Sequence, residues 1–125
     1  TLTGACMVAL GEEIAGLFTN DEALAKTIND ASKETGEKVW RLPLVEEYKE
    51  HLKSKIADLS NVHKTRYAGA INGALFLEAF VDKMIPWAHL DIAGPAWAEK
   101  ENVSYIPSGG TGFGTRLSLA YLLTF

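Results

Sequence analysis

The chain has 125 residues, 47% hydrophobic and 22% charged, with a formal net charge of −4. That length makes one domain, or part of a larger one, with enough apolar material for a core. The acidic balance offers no basic stripe for a nucleic acid. The longest apolar stretch, 68–81, is interrupted by Asn72 and Glu78 and is too short to span a bilayer.

Cys6 is the single cysteine, so neither an intrachain disulfide nor a cysteine zinc cluster is available, and a reducing cytoplasm fits. The start, Thr1-Leu2-Thr3-Gly4-Ala5, lacks the charged region of a signal peptide and an initiator Met. An apolar opening of this kind is expected inside a longer chain.

Taken in order, the elements alternate in the manner of an α/β layer structure. Residues 4–10 read as a short helix closed by Gly11, and 14–19 as a strand. Asn20 is then expected as an N-cap, with Asp21 and Glu22 in the first turn where acids suit the helix dipole. That helix should run to Thr35 with Gly36 at its C′ position. Leu24, Ile28 and Ala31 would form its buried face. Residues 39–42 are extended ahead of Pro43. A charged amphipathic helix is expected over 46–56, solvated because Glu46-Glu50 and Lys49-Lys53 are like-charged at i,i+4 while Glu50-Lys53 at i,i+3 is favourable.

A polar loop over 59–67 leads to the central helix, expected over 68–84 and apolar nearly all round, hence buried. Gly69 and Gly73, one turn apart in it, should admit the close approach of another backbone. Pro86 would stop it. Residues 87–92 make the clearest strand, 107–115 a glycine-rich loop, and 116–125 a last helix carrying Leu117, Ala120, Tyr121 and Phe125. A few short strands are too few for a complete sheet buried on both faces, which again suggests a piece of a larger domain.

Chemistry is sparse on the residues alone. The loop Gly109-Gly110-Thr111-Gly112-Phe113-Gly114 precedes a helix, and helix N-termini bind anions. It lacks the Walker lysine and the G-x-G-x-x-G spacing, so a turn using positive φ is the alternative to a phosphate site. His89 and Asp91 at i,i+2 share one strand face, as a metal or acid-base pair or as a hydrogen-bonded structural pair. His51 is expected in solvent on the charged helix. His63, with Asp58 and Asn61, makes a polar cluster. Cys6 reads as a small hydrophobe. No serine lies in a G-x-S-x-G elbow.

Three stretches carry a resemblance. Thr1-Leu2-Thr3-Gly4-Ala5 with Val8-Ala9-Leu10-Gly11 resembles the TLTGA segment of the leucyl (cytosol) aminopeptidase family. Trp87-Ala88-His89-Leu90-Asp91-Ile92-Ala93-Gly94 is similar to its WAHLDIAG strand. Thr111-Gly112-Phe113-Gly114-Thr115-Arg116 is similar to its TGFGxR turn. Ala15-Gly16-Leu17-Phe18-Thr19-Asn20, Val39-Trp40-Arg41-Leu42-Pro43-Leu44 and Ala68-Gly69-Ala70 fall between them in the family's order, so the likeness covers essentially all of 1–125.

The resemblance implies an α/β fold: the C-terminal part of a three-layer α/β/α aminopeptidase catalytic domain, with its sheet incomplete in this chain. It implies a cytoplasmic homohexamer that removes N-terminal residues from peptides, leucine often favoured, with two divalent metal ions (Zn, Mn or Mg) activating water and polarising the scissile carbonyl. The family's last metal ligands lie in an NTDAEGR-like segment before TLTGA, which does not occur here. No metal ligand and no catalytic arginine or lysine carries over to this chain, so 1–125 alone is expected to bind no metal, to be inactive and to self-associate. What carries over is a substrate-binding wall: Thr1, Leu2, Thr3, Gly4, Ala93 and Ala96. Small residues leave room there, and the backbone of Leu2 and Gly4 can bond a peptide. The alternative function is a catalytically silent binding or regulatory protein of the same fold. Some family relatives bind DNA, which the −4 charge does not support in this piece.

Overall fold

The computed structural model describes residues 1–62, 65–101 and 105–125. Its centre is β1 (Ala15–Thr19), buried along its whole length. β1 pairs in parallel with β2 (Val39–Arg41) and antiparallel with β3 (Ala88–Asp91), giving the order β2-β1-β3. The register sets Gly16 against Asp91 and Phe18 against His89. A separate two-stranded ribbon joins β4 (Trp97–Ala98) to β5 (Gly109–Gly110) inside the glycine-rich loop.

The period-two alternation of β1 sorts the helices into two outer layers. Ala15 and Leu17 pack with Ile28 and Ala31 of α2 (Glu22–Thr35), Val39, and Leu117 of α4 (Thr115–Leu122). Phe18 points the other way, onto Cys6 of α1 (Gly4–Leu10) and onto Ala70 and Ala74 of α3 (Gly69–Glu78). The result is α2 and α4, sheet, then α1 and α3: a three-layer α/β/α arrangement on a short sheet. Burying a side chain such as Leu17 or Phe18 contributes roughly 1.5–3 kcal/mol, so β1 is where the two cores are joined.

Several expectations change at the helix ends. Asp21, not Asn20, caps α2, accepting from Leu24 N at 2.6 Å. Asn20 is spent across the chain instead: its Oδ1 accepts from Trp87 N at 2.8 Å and its Nδ2 donates to Ile85 O at 3.1 Å. Gly36 does close α2 in the left-handed region. Leu24 is only partly buried, while Ala25 and Ser32 join Ile28 and Ala31 inside.

The charged helix is a 3-10 helix confined to Glu46–Leu52. A 3-10 turn eclipses residues three apart, which suits the Glu46–Lys49 and Glu50–Lys53 ion pairs at 2.6 and 2.7 Å and separates the like charges. His51 is not solvated as expected: it is half-buried, stacks on Tyr48 and has Nδ1 3.0 Å from Oδ1 of buried Asn72. His63 of the expected polar cluster lies outside the described residues.

α3 ends at Glu78, well short of Met84, and buries Ala70, Asn72, Ala74 and Leu75 rather than its whole circumference. Its last turn tightens through Phe80 N to Leu77 O and Val81 N to Glu78 O. Phe80 and Met84 remain exposed, so nothing rewards further winding. The two glycines of α3 do permit a close approach, by side chains of the 3–5 stretch. A Cβ on Gly69 would lie 2.8 Å from Ala5 Cβ, and one on Gly73 would lie 3.3 Å from Thr3 Cγ2. α4 stops at Leu122, and Phe125 is exposed against the edge of Tyr121.

Candidate functional site

The first residues of the chain run along the end of β3. Thr1 N donates to Leu90 O and Ile92 N donates to Thr1 O, both at 2.8 Å, the pattern of a parallel strand pair. Side chains lock the same register. Thr1 Oγ1 is 2.7 Å from His89 Nε2, and Asp91 Oδ1 accepts from Thr3 N at 2.9 Å while Oδ2 accepts from the Thr3 hydroxyl. The Thr3 hydroxyl also accepts from Cys6 N at 3.2 Å, capping α1.

His89 and Asp91 do share a face, as their spacing requires, and both are buried. Neither reaches the other; each is used on a threonine. His89 lies between the rings of Phe18 and Trp87, at 5.9 and 6.0 Å. Burial drives its pKa down to about 4, the neighbouring Thr1 ammonium adds to this, and the Asp91 charge opposes it. Its Nε2 faces Thr1 Oγ1 at 2.7 Å and Thr1 N at 3.4 Å. Burial, then the Asp91 charge, pushes the Cys6 thiol pKa up. Its Sγ packs 3.8 Å from Asp91 O as a small core group, and a Cβ on Gly16 would come within 2.8 Å of it.

Thr1 and Thr3 face back onto β3, so Leu2 between them faces out and is 67% exposed. Among the described residues its N–H and C=O take no hydrogen-bond partner. Gly4 opens α1, where a helix N–H lacks an intrahelical acceptor, and the space where its Cβ would stand is open. Ala93 N approaches Asp91 Oδ1 at 3.4 Å, beside the Thr3 contact. Ala96 sits one turn on, with its N–H bonded to Ile92 O at 3.0 Å. The structure thus brings Thr3 and Ala93 to one carboxylate, ties Thr1 to His89, Leu90 and Ile92, carries Leu2 and Gly4 with them, and holds Ala96 to the same turn. A cleft of about 460 Å³ lined by Glu46, Lys49, Leu52, Leu75, Glu78 and Lys83, among others, includes none of the six.

Sequence spacing put His89 and Asp91 on one face but could not find their partners, 88 residues away. It also missed Glu37. That buried carboxylate accepts from Leu117 N at 2.8 Å and faces Arg116 Nε at 3.5 Å. The anion at the start of α4 is therefore the protein's own. Gly109, Gly112 and Gly114 have φ of 102°, 68° and 92°, so the loop is the positive-φ turn rather than a phosphate cradle.

Among the described residues no three His, Cys, Asp or Glu side chains converge as metal ligands. The residues here do not fit the paired metals that the resemblance implies, and metal chemistry is assigned to none of them.

A short sheet layered between helices, with an extended segment tied to a strand end and its outward backbone open, is an α/β unit with one open extended edge. The model of the cytosol aminopeptidase family's catalytic domain matches residues 1–119, and the chain belongs to that family. It is 56% identical over 123 residues to a probable cytosol aminopeptidase of Synechococcus sp. (strain JA-3-3Ab), covering 98% of this chain and 24% of the relative. The solved cytosol aminopeptidase of Coxiella burnetii is 46% identical with a TM-score of 0.86, covering 98% of this chain and 26% of that one. The bottromycin maturation enzyme BotP in complex with Mn is 42% identical with a TM-score of 0.92, covering 98% and 27%. The chain thus spans about a quarter of the length of these relatives. No helix of the described residues is long and apolar enough to cross a membrane.

Proposed function

We propose that residues 1–125 are the C-terminal part of the catalytic domain of a cytoplasmic aminopeptidase that releases N-terminal residues from peptides, leucine often favoured. In this reading Thr1, Leu2, Thr3, Gly4, Ala93 and Ala96 form one wall of the substrate pocket. The observation that carries it is the alternation along 1–3: Thr1 and Thr3 are bonded to β3, while the Leu2 N–H and C=O are left outward among the described residues. An extended segment anchored on one side and open on the other accepts a peptide backbone by strand-like hydrogen bonding. Small Ala93 beside it leaves room for a leucine-sized side chain.

The hydrolytic step needs groups this piece does not supply. In the full-length protein two divalent ions (Zn, Mn or Mg) would activate water and polarise the carbonyl, held by residues outside this chain, within a homohexamer. The isolated piece is accordingly inactive.

The test is Ala93→Phe in the full-length enzyme, with kcat/KM measured on leucine- and alanine-ended substrates. One methylene in an apolar pocket is worth roughly 10–200-fold in discrimination, so filling the space should move preference strongly towards alanine. An unchanged Leu/Ala ratio in a folded variant would remove Ala93 from the pocket.

A further inference from the structure

We infer that Asp91 is a positioning residue for substrate discrimination: its one buried carboxylate holds the Thr1–Gly4 segment and the Ala93 turn in register with each other. The inference rests on the pocket-wall reading above.

Asp91 is fully buried, so it touches no substrate and can act only through what it holds. Oδ1 accepts from two backbone groups on opposite halves of the wall, Thr3 N at 2.9 Å and Ala93 N at 3.4 Å. Oδ2 takes the Thr3 hydroxyl, which in turn caps α1 through Cys6 N. One rigid group therefore fixes the spacing between the segment that presents the Leu2 backbone and the alanine that faces the side chain. The two halves are 88 residues apart in sequence at the Thr3–Asp91 contact, and the backbone bonds of Thr1 to Leu90 and Ile92 set the strand pairing without reaching Ala93.

The chemistry asks for a carboxylate. Thr3 N, the Thr3 hydroxyl and Ala93 N all aim a donor at its oxygens, and a buried carboxylate persists only where such donors take up its lone pairs. Asparagine would fill the same volume but keep only one acceptor oxygen: either the Thr3 hydroxyl loses its acceptor and must turn to accept from the NH₂, or the two N–H groups face that NH₂. The pocket would then keep its fold and lose its spacing.

The experiment compares the Leu/Ala ratio of kcat/KM in the full-length enzyme for wild type, Asp91→Asn, Thr3→Val, Thr3→Ser and Ala93→Phe, each checked for folded fraction by circular dichroism. Asp91→Asn should lower the ratio roughly tenfold, the scale of a misfitted methylene, chiefly by raising KM for the leucine substrate. Thr3→Val should lower it in the same direction, and Thr3→Ser, which restores the hydroxyl, should recover most of that loss. A merely structural role would lower both substrates alike and leave the ratio unmoved; that result in Asp91→Asn overturns the proposal. If Asp91→Asn does not fold, an unmoved ratio in Thr3→Val overturns it instead. Should Ala93→Phe shift the ratio while Asp91→Asn does not, the wall stands and the positioning role falls. Should neither shift it, both fall.

Discussion

Gly94 closes the WAHLDIAG stretch where no side chain fits. A Cβ there would stand 2.3 Å from the Gly11 carbonyl oxygen and 3.0 Å from Glu12 Cα. Ordinary carbon–oxygen contact begins at roughly 3.3 Å, so Gly94→Ala forces an overlap of about 1 Å. Both opposing atoms are backbone, in the turn that ends α1, and neither can swing aside as a side-chain tip would. Overpacking costs roughly 1–3 kcal/mol, and backbone on the receiving side puts this case near 3. With a urea m-value of about 2 kcal/mol per molar, the unfolding midpoint of the chain should fall by roughly 1.5 M. Gly4→Ala is the matched control: nothing lies within 4 Å of its Cβ and it sits in α1. Replacing a helical glycine there should raise stability by about 0.5–1 kcal/mol. Urea titrations followed by tryptophan fluorescence, at low micromolar concentration, measure both. A Gly94→Ala midpoint within 0.3 M of wild type would refute the packing argument.

Acid should weaken the site through His89. Its pKa is about 4 in the folded chain against an ordinary 6.5, so the unfolded chain takes up the proton first. Stability is then complete above about pH 6.5 and declines as pH falls towards 4, by roughly 3 kcal/mol in all. Urea midpoints at pH 7.5 and 5 should differ less in His89→Gln than in wild type, and equal slopes would contradict the assignment. The isolated chain should self-associate, because Leu119, Leu122, Leu123 and Phe125 leave an exposed apolar end on α4. Light scattering should show a species larger than 13.6 kDa; a strict monomer at high concentration would count against it.

Local chemistry was legible where neighbours in sequence decide the outcome. Gly11 and Gly36 closed their helices, β1 read as a strand, and the period-two spacing of His89 and Asp91 gave their shared face. The resemblance gave the family and the layered fold. What was not legible depended on distant partners. Asn20 looked like a cap until Trp87 and Ile85 claimed it. α3 was apolar enough to wind on to Met84, but its far end found no surface to bury against. His51 sat among charges in sequence and against Tyr48 and Asn72 in space. Thr3 and Ala93 carry no signature of their own beyond the motif, because the carboxylate that joins them belongs to a strand end 88 residues from Thr3.

The central claim, that the Thr1–Gly4 segment and the Ala93 turn receive the substrate, is tested most directly by a crystal structure of the full-length protein with a non-hydrolysable leucine-ended peptide. The leucine side chain should lie in van der Waals contact with Ala93 and Thr1, with a peptide group hydrogen-bonded to the backbone of Leu2 or Gly4. A peptide bound elsewhere, with the Leu2 and Gly4 backbone groups still open, would contradict it.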